Sequence, residues 1–524
     1  PRSSAGGCRW GCGETVLGLR PCGALDFPDL NQRELQMRPL ISAILAVLVF
    51  GPGVGAGAER PNFIFILADD LGYGDVGACN PAGKIKTPHL DRLAREGVLF
   101  TDAHSGSAVC TPTRYGVVTG RYCWRSPLQK SVLGGLSPRL IEAGRMTVAS
   151  FLKERGYHTA CVGKWHLGMD WVKREGKGVA ELAIEAQDQV WNVDFSKPIR
   201  NGPNSVGFDY YFGISASLDM VPYTLIENDR VTVVPTKDAD FPMTAGEEGK
   251  RTRRGPAAEG FDAVDVLPTL RAKAVEYIDA RAAEARSGKP FFLYLPLASP
   301  HTPIVPSKGW LGRSGLSPYA DFVMETDAAV GGVLEALERG GIARDTLVIF
   351  TSDNGCSPMA NFDELLAGGH NPSHVFRGHK ADIYDGGHRV PFLARWPARA
   401  RAGETSAHPV CLTDLMATCA DILGERLPDD AGEDSFSFAG ALTGDGKGPV
   451  RESIVHHSIN GSFAIREGRW KLELCPGSGG WSQPRPGKDD ASHLPAVQLY
   501  DMQSDVGETR NLESRHPEEV GRLT

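Results

Sequence analysis

Phe63-Ile-Phe-Ile-Leu-Ala68 is an unbroken apolar run that ends in two adjacent carboxylates, Asp69 and Asp70. A run of strand length without polar alternation suits a strand covered on both faces, the environment of a parallel sheet between helices. Similar runs recur at Phe291 to Leu295, Leu347 to Phe350 and Phe392 to Ala394. Helical patterns lie between them, at Pro88 to Glu96, Val148 to Arg155, Tyr319 to Leu337 and Leu412 to Ile422. This alternation predicts an α/β sandwich with a mostly parallel central sheet flanked by helices. With 524 residues, the chain has room for that domain and a smaller companion.

Sites in such sheets lie beyond the carboxyl ends of the strands. Asp69-Asp70 and Asp353-Asn354 each follow a predicted strand, so the fold itself can bring them to one edge. Each pair alone is also ordinary turn chemistry. Together they offer only oxygen donors, which suit a hard cation, Ca²⁺ in preference to Mg²⁺.

Cys110-Thr-Pro-Thr-Arg114 places Pro112 where it fits the first turn of a helix, which sets Cys110 near a helix N-terminus. Backbone N–H groups and the positive dipole end attract an anion there. A nucleophile beside an anion site is one reading; a buried structural cysteine is the other. Lys164 and His166 alternate with Trp165, so an extended backbone directs both to one side. His301 stands between Pro300 and Pro303, and Lys380 precedes a Gly-Gly-His-Arg-Val-Pro stretch. Pro372 argues against a helix joining His370 and His374, which read as loop residues. Asp209 to Phe212 reads either as a sugar platform or as packing beneath a loop.

The set Asp69-Asp70, Cys110-Thr-Pro-Thr-Arg114, Gly163-Lys-Trp-His-Leu-Gly168 and Thr351-Ser-Asp-Asn-Gly355, in this order, resembles the formylglycine-dependent sulfatases. These form the arylsulfatase branch of the alkaline phosphatase superfamily, and the resemblance runs from about Arg60 to the C-terminal Leu499-Tyr-Asp stretch. It implies an alkaline-phosphatase-like sandwich and hydrolysis of sulfate esters of carbohydrates or aryl alcohols. It further implies that a formylglycine-generating or sulfatase-maturating enzyme oxidises Cys110 to formylglycine, whose hydrate is the nucleophile. Arg114 would hold the hydrate, Lys164 would contact sulfate or the hydrate, Lys380 would bind sulfate and could also assist the leaving group, His166 would be the base that starts elimination, and His301 the general acid. One Ca²⁺ per chain would sit on Asp69, Asp70, Asp353 and Asn354. Thr113 departs from the family's usual Ser. Two other functions are consistent with these residues: a phosphonate or phosphate ester hydrolase of the same superfamily, and a non-catalytic protein that binds sulfated glycans.

Residues 1–36 read as spurious upstream sequence, and 37–58, beginning at Met37, as a secretory signal peptide whose apolar run is too short to span a bilayer. That predicts export to the periplasm or extracellular space, without a stable membrane span. The catalytic domain is expected over 59–430 and a small C-terminal α+β subdomain with an antiparallel sheet over 431–524. Gly/Asp-rich sequence at 424–448 marks the change, and short strand patterns follow. Residues 171–265 read as loops over the site. A net charge of -8 argues against nucleic acid as a partner. Of eleven cysteines, eight lie beyond residue 58. They show no CxxC zinc spacing.

Overall fold

The computed structural model describes residues 60–175, 181–247, 249–446 and 448–524. The expected leader and signal segment lie outside the described residues. Five strands run parallel through the middle of a ten-stranded sheet, in the order Thr346–Ser352, Asn62–Asp69, Phe291–Pro300, His158–Lys164 and Tyr210–Ile214. Phe392–Arg395 pairs antiparallel beside them, and Val98–Phe100 and Glu404–Ser406 complete that edge.

The period of two along the first strand separates two cores. Phe63, Phe65 and Leu67 enter one, with Tyr115, Phe151, Leu152 and Leu415 from the helices Cys110–Thr119, Val148–Glu154 and Leu415–Ile422. Ile64, Ile66 and Ala68 enter the other, with Leu90, Leu270, Ile278, Phe322 and Val333 from Pro88–Arg95, Val266–Arg286 and Pro318–Arg339. Full burial stabilises each large apolar side chain by roughly 1.5–3 kcal/mol, which is why the strand needs no polar face. Local signals agree with this placement. Ser317 caps the Pro318–Arg339 helix by accepting from Ala320 N, with Pro318 at its first position. Asp327 of that helix accepts the N–H groups of His89 and Leu90, and so fixes the start of Pro88–Arg95.

Three elements depart from the sequence reading. The stretch read as loops contains the strand Tyr210–Ile214, whose aromatic residues pack in the sheet, and it is followed directly by the 21-residue helix Val266–Arg286. Residues 424–448 include the helix Ala439–Thr443 and send Phe438 and Leu442 into the first core. Beyond them, Ser453–His457, Phe463–Glu467, Trp470–Glu473 and Gln498–Asp501 form a separate antiparallel sheet, with the helix Pro517–Leu523 packed on it through Leu523. All eight described cysteines are buried and unpaired. Among the described residues, no helix is long and apolar enough to cross a membrane.

Candidate active site

Register decides where the carboxylates meet. Ala68 lies opposite Ser352 in the parallel pair, and Asp353 N donates to Ala68 O at 3.0 Å. Asp69, Asp70 and Asp353 therefore leave adjacent strands together, with carboxylate oxygens within 4.8 Å of one another and all three side chains buried. Asn354 Nδ2 donates to Asp70 Oδ1 at 2.8 Å. Three cations close on the group. Lys164 Nζ donates to Asp69 Oδ2 at 2.6 Å, and Lys380 Nζ lies 2.7 Å from Asp70 Oδ1. Arg114 donates to Asp353 Oδ2 from Nε at 3.0 Å and from Nη2 at 2.7 Å. Gly163 precedes Lys164 at φ +142, and a Cβ there would fall 1.9 Å from the Pro296 carbonyl oxygen, so only glycine lets these strands approach.

Two buried oxygens of this cluster accept no hydrogen bond, Asp69 Oδ1 and Asn354 Oδ1. Three carboxylates and an amide, with acceptor oxygens left over, form a donor set that fits a hard divalent cation. Asp70 and His166 adopt φ of +64 and +53, left-handed conformations that non-glycine residues hold only where the surroundings impose them.

Cys110 is the first residue of its helix and is 2% exposed. Its sulfur, an Asp69 oxygen and a His301 ring nitrogen all lie within 4.8 Å of one another. Thr113 Oγ1 donates to Ser107 O at 2.9 Å, a bond that a serine hydroxyl could also make. His301 follows the Phe291–Pro300 strand, with Nε2 3.6 Å from Asp70 Oδ2. His166 turns its Nε2 to the Leu133 carbonyl at 2.8 Å and leaves Nδ1 buried without a partner.

The electrostatics follow from burial set against these pairings. Burial alone would raise the Asp69 carboxyl, but Lys164, His301, Arg114 and Lys380 outweigh it and hold the group well below the usual range. Burial and repulsion from Asp69 lift Asp353 to about 6. Lys380 is raised, because the attraction of Asp70 exceeds the cost of burial. Burial pushes the Cys110 thiol up despite the two lysines. Burial and the neighbouring Lys164 push His166 well below the imidazole range, so it stands neutral with a lone pair on Nδ1.

The ten residues singled out from the sequence thus occupy one edge of the sheet. His370 does not join them, since its Nε2 meets Asp75 at 2.8 Å and its Nδ1 accepts from Lys84 N. Asp219, five residues beyond Ile214, does join them and was missed; the signal was the strand end before it, hidden because Tyr210 to Phe212 read as a platform or loop packing.

Residues 61–425 match the family model described as Sulfatase. The chain belongs to the sulfatase family. It is 33% identical over 507 residues to the N-acetylgalactosamine-6-O-sulfatase of Bacteroides thetaiotaomicron, covering 90% of this chain and 93% of that one. Human arylsulfatase A is 33% identical over 485 residues, covering 90% and 86%. A solved B. thetaiotaomicron protein, described in connection with the metabolism of multiple glycosaminoglycans, superposes with a TM-score of 0.74 at 32% identity, covering 89% of this chain and 98% of that one. The fold is accordingly the alkaline-phosphatase-like sulfatase sandwich, and the chain is a sulfuric ester hydrolase.

Proposed function

We propose that this sulfatase acts on a sulfated carbohydrate, through a formylglycine made from Cys110 and with one Ca²⁺ held by Asp69, Asp70, Asp353 and Asn354. The observation that carries this reading is the setting of Cys110. It is a buried thiol kept neutral at a helix N-terminus, within 4.8 Å of Asp69 and His301. A neutral thiol is a weak nucleophile, so catalysis at this position calls for a maturating enzyme that oxidises the side chain. The hydrated aldehyde supplies one hydroxyl to attack sulfur and a second whose deprotonation expels sulfate and restores the carbonyl.

The chain's own residues then divide the work. Arg114 steadies the modified side chain from the buried side, and Lys164 and Lys380 offer compact charge to the sulfate oxygens in a site shielded from water. His301 gives a proton to the departing alcohol oxygen as its bond to sulfur breaks. His166 takes the proton of the second hydroxyl on Nδ1, the nitrogen that Leu133 leaves free. Ca²⁺, when bound, supplies positive charge that offsets the negative charge developing at the nucleophile and sulfate. The name of the B. thetaiotaomicron relative supports an amino-sugar 6-sulfate as the substrate class. The segment 37–58 supports export.

Peptide mass spectrometry across Cys110, on protein co-expressed with a formylglycine-generating enzyme, tests the reading when paired with turnover of 6-O-sulfo-N-acetylgalactosamine, nitrophenyl sulfate and nitrophenyl phosphate. We expect an aldehyde at position 110 and faster hydrolysis of sulfate than of phosphate esters. Aldehyde-bearing, Ca²⁺-loaded protein that prefers the phosphate ester, or turns over neither sulfate, would overturn it.

A further inference from the structure

The roles just proposed leave one charged group at the site unused. The Asp219 side chain is 23% exposed, yet its Oδ1 is buried and accepts no hydrogen bond from the described residues. That oxygen lies 4.0 Å from His301 Nδ1, across the imidazole from Asp70, which faces Nε2. The distance is too long for a hydrogen bond. His301 does not need one there, because its Nδ1 already meets the Thr302 carbonyl at 2.6 Å. Asp219 is therefore not the partner that orients the histidine.

Its neighbours place it on the wall of the same chamber. Ala216 and Met220, from the same segment, pack with Cys110, Val109, Val132 and Ala381. The three site cations lie elsewhere, on Asp69, Asp70 and Asp353. A sulfate group would be drawn to those cations and repelled by Asp219, so the carboxylate faces the other half of the ester. Oδ1 is closed to a ligand, but the side chain as a whole is 23% exposed, so a hydroxyl can reach the open part of the carboxylate and give the charge the donor that Oδ1 lacks.

We infer that Asp219 reads the alcohol half of the substrate, by accepting a hydrogen bond from a hydroxyl on the sugar ring that carries the sulfate. The inference rests on the sulfated-carbohydrate reading and sharpens it. An aryl sulfate has no such hydroxyl, whereas a galactosamine 6-sulfate offers its 4-hydroxyl close to the ester.

The test uses formylglycine-bearing, Ca²⁺-loaded enzyme and three substrates: 6-O-sulfo-N-acetylgalactosamine, its 4-deoxy analogue and nitrophenyl sulfate. Removing the hydroxyl should cost the wild type about 10- to 100-fold in kcat/KM, the range for a hydrogen bond to a charged group. Asp219→Ala should lose a similar factor on the parent sugar, no longer distinguish it from the deoxy sugar, and fall much less on nitrophenyl sulfate. Asp219→Asn, which keeps the shape and one acceptor, should lie between, and its melting curve checks that the fold is intact. Equal wild-type rates on the two sugars would overturn the inference while leaving the sulfatase reading intact. So would an equal loss for Asp219→Ala on all three substrates, which would make Asp219 a support for His301. Wild type that turned over nitrophenyl sulfate but neither sugar would overturn the carbohydrate reading and this inference together.

Discussion

Among the described residues, buried ligand-type side chains gather in two places, one at the strand ends and one built around histidines, and the two differ in character. At the strand ends, Asp69, Asp70 and Asp353 converge; beneath the small antiparallel sheet, His104, His388 and His456 do, with ligand atoms again within 4.8 Å. In the first, Asp69 Oδ1 and Asn354 Oδ1 accept no hydrogen bond, and three cations, Arg114, Lys164 and Lys380, pair with the carboxylates. In the second, His104 Nδ1 meets His388 Nδ1 at 3.0 Å, and the His388 and His456 rings are stacked 3.6 Å apart at 10°. An imidazole holds a metal close to its ring plane, and one ion cannot lie in two parallel planes. His456 Nε2 is the one histidine nitrogen of this cluster without a partner. Beside these rings Lys471 is buried among Asp385, Glu473 and Glu508, which ties the small sheet to the catalytic body. Proximity of ligands is thus common to a binding site and a structural lock; ring orientation separates them.

The sharpest way to break this contrast is to remove chemistry at one cluster and stability at the other. Cys110→Ala should lower sulfate-ester turnover by at least about 10⁴-fold, as loss of a nucleophile does. Its melting temperature should stay within a few degrees of wild type by calorimetry, and a large drop would make Cys110 a structural residue. Lys471→Met should do the reverse. It strands three buried carboxylates and should cost about 3–5 kcal/mol of unfolding free energy in a urea titration. Rates per folded molecule should be retained, so a selective loss of kcat would blur the distinction.

A smaller effect concerns the metal. Asp353→Ala should weaken Ca²⁺ binding by about 100-fold in calorimetric titration, comparable to the largest losses seen when outer ligands are removed elsewhere. His388→Leu should leave the Ca²⁺ stoichiometry unchanged. Equal losses would mean that the clusters are coupled.

The smallest signal is acid sensitivity. Burial holds His104 at about 3, and burial with neighbouring positive charge holds His388 and His456 well below the imidazole range. Unfolded histidines titrate near pH 6.5, so below that pH the unfolded state binds more protons. Stability is then fully present above about pH 6.5 and lost as pH falls towards the folded values, by about 1.4 kcal/mol per unit for each histidine. His456→Phe should reduce that slope between pH 6.5 and 5 in urea unfolding. An unchanged slope would remove His456 from the lock.

Legibility in the sequence follows the same division. The strands at Asn62–Asp69, Phe291–Pro300 and Thr346–Ser352 were readable because burial on both faces leaves an uninterrupted apolar run. The residues at their ends could be read because they stand next to that signal. The helix Val266–Arg286 was not anticipated, since Ala, Arg and Glu dilute its buried stripe of Leu267, Leu270, Ala274 and Ile278. The lock was invisible for a different reason. Its parts come from chain segments far apart, and neither Lys471 nor His104 carries a local mark of its partners.

The five parallel strands also differ in how far beyond their ends the functional groups stand. Lys164 is the last residue of its strand, and Asp353 and His301 come immediately after theirs, whereas Asp219 is held on a longer tether. The groups proposed to meet the reacting atoms inherit the stiffness of the sheet. The group proposed for the sugar sits beyond the sheet, on backbone whose Ala216, Leu218, Met220 and Val221 are packed into the buried clusters. Varying Asp219 alone, with its buried neighbours Ala216, Leu218, Met220 and Val221 kept, is therefore the economical way to learn whether the choice of sulfated alcohol can be changed apart from bond cleavage.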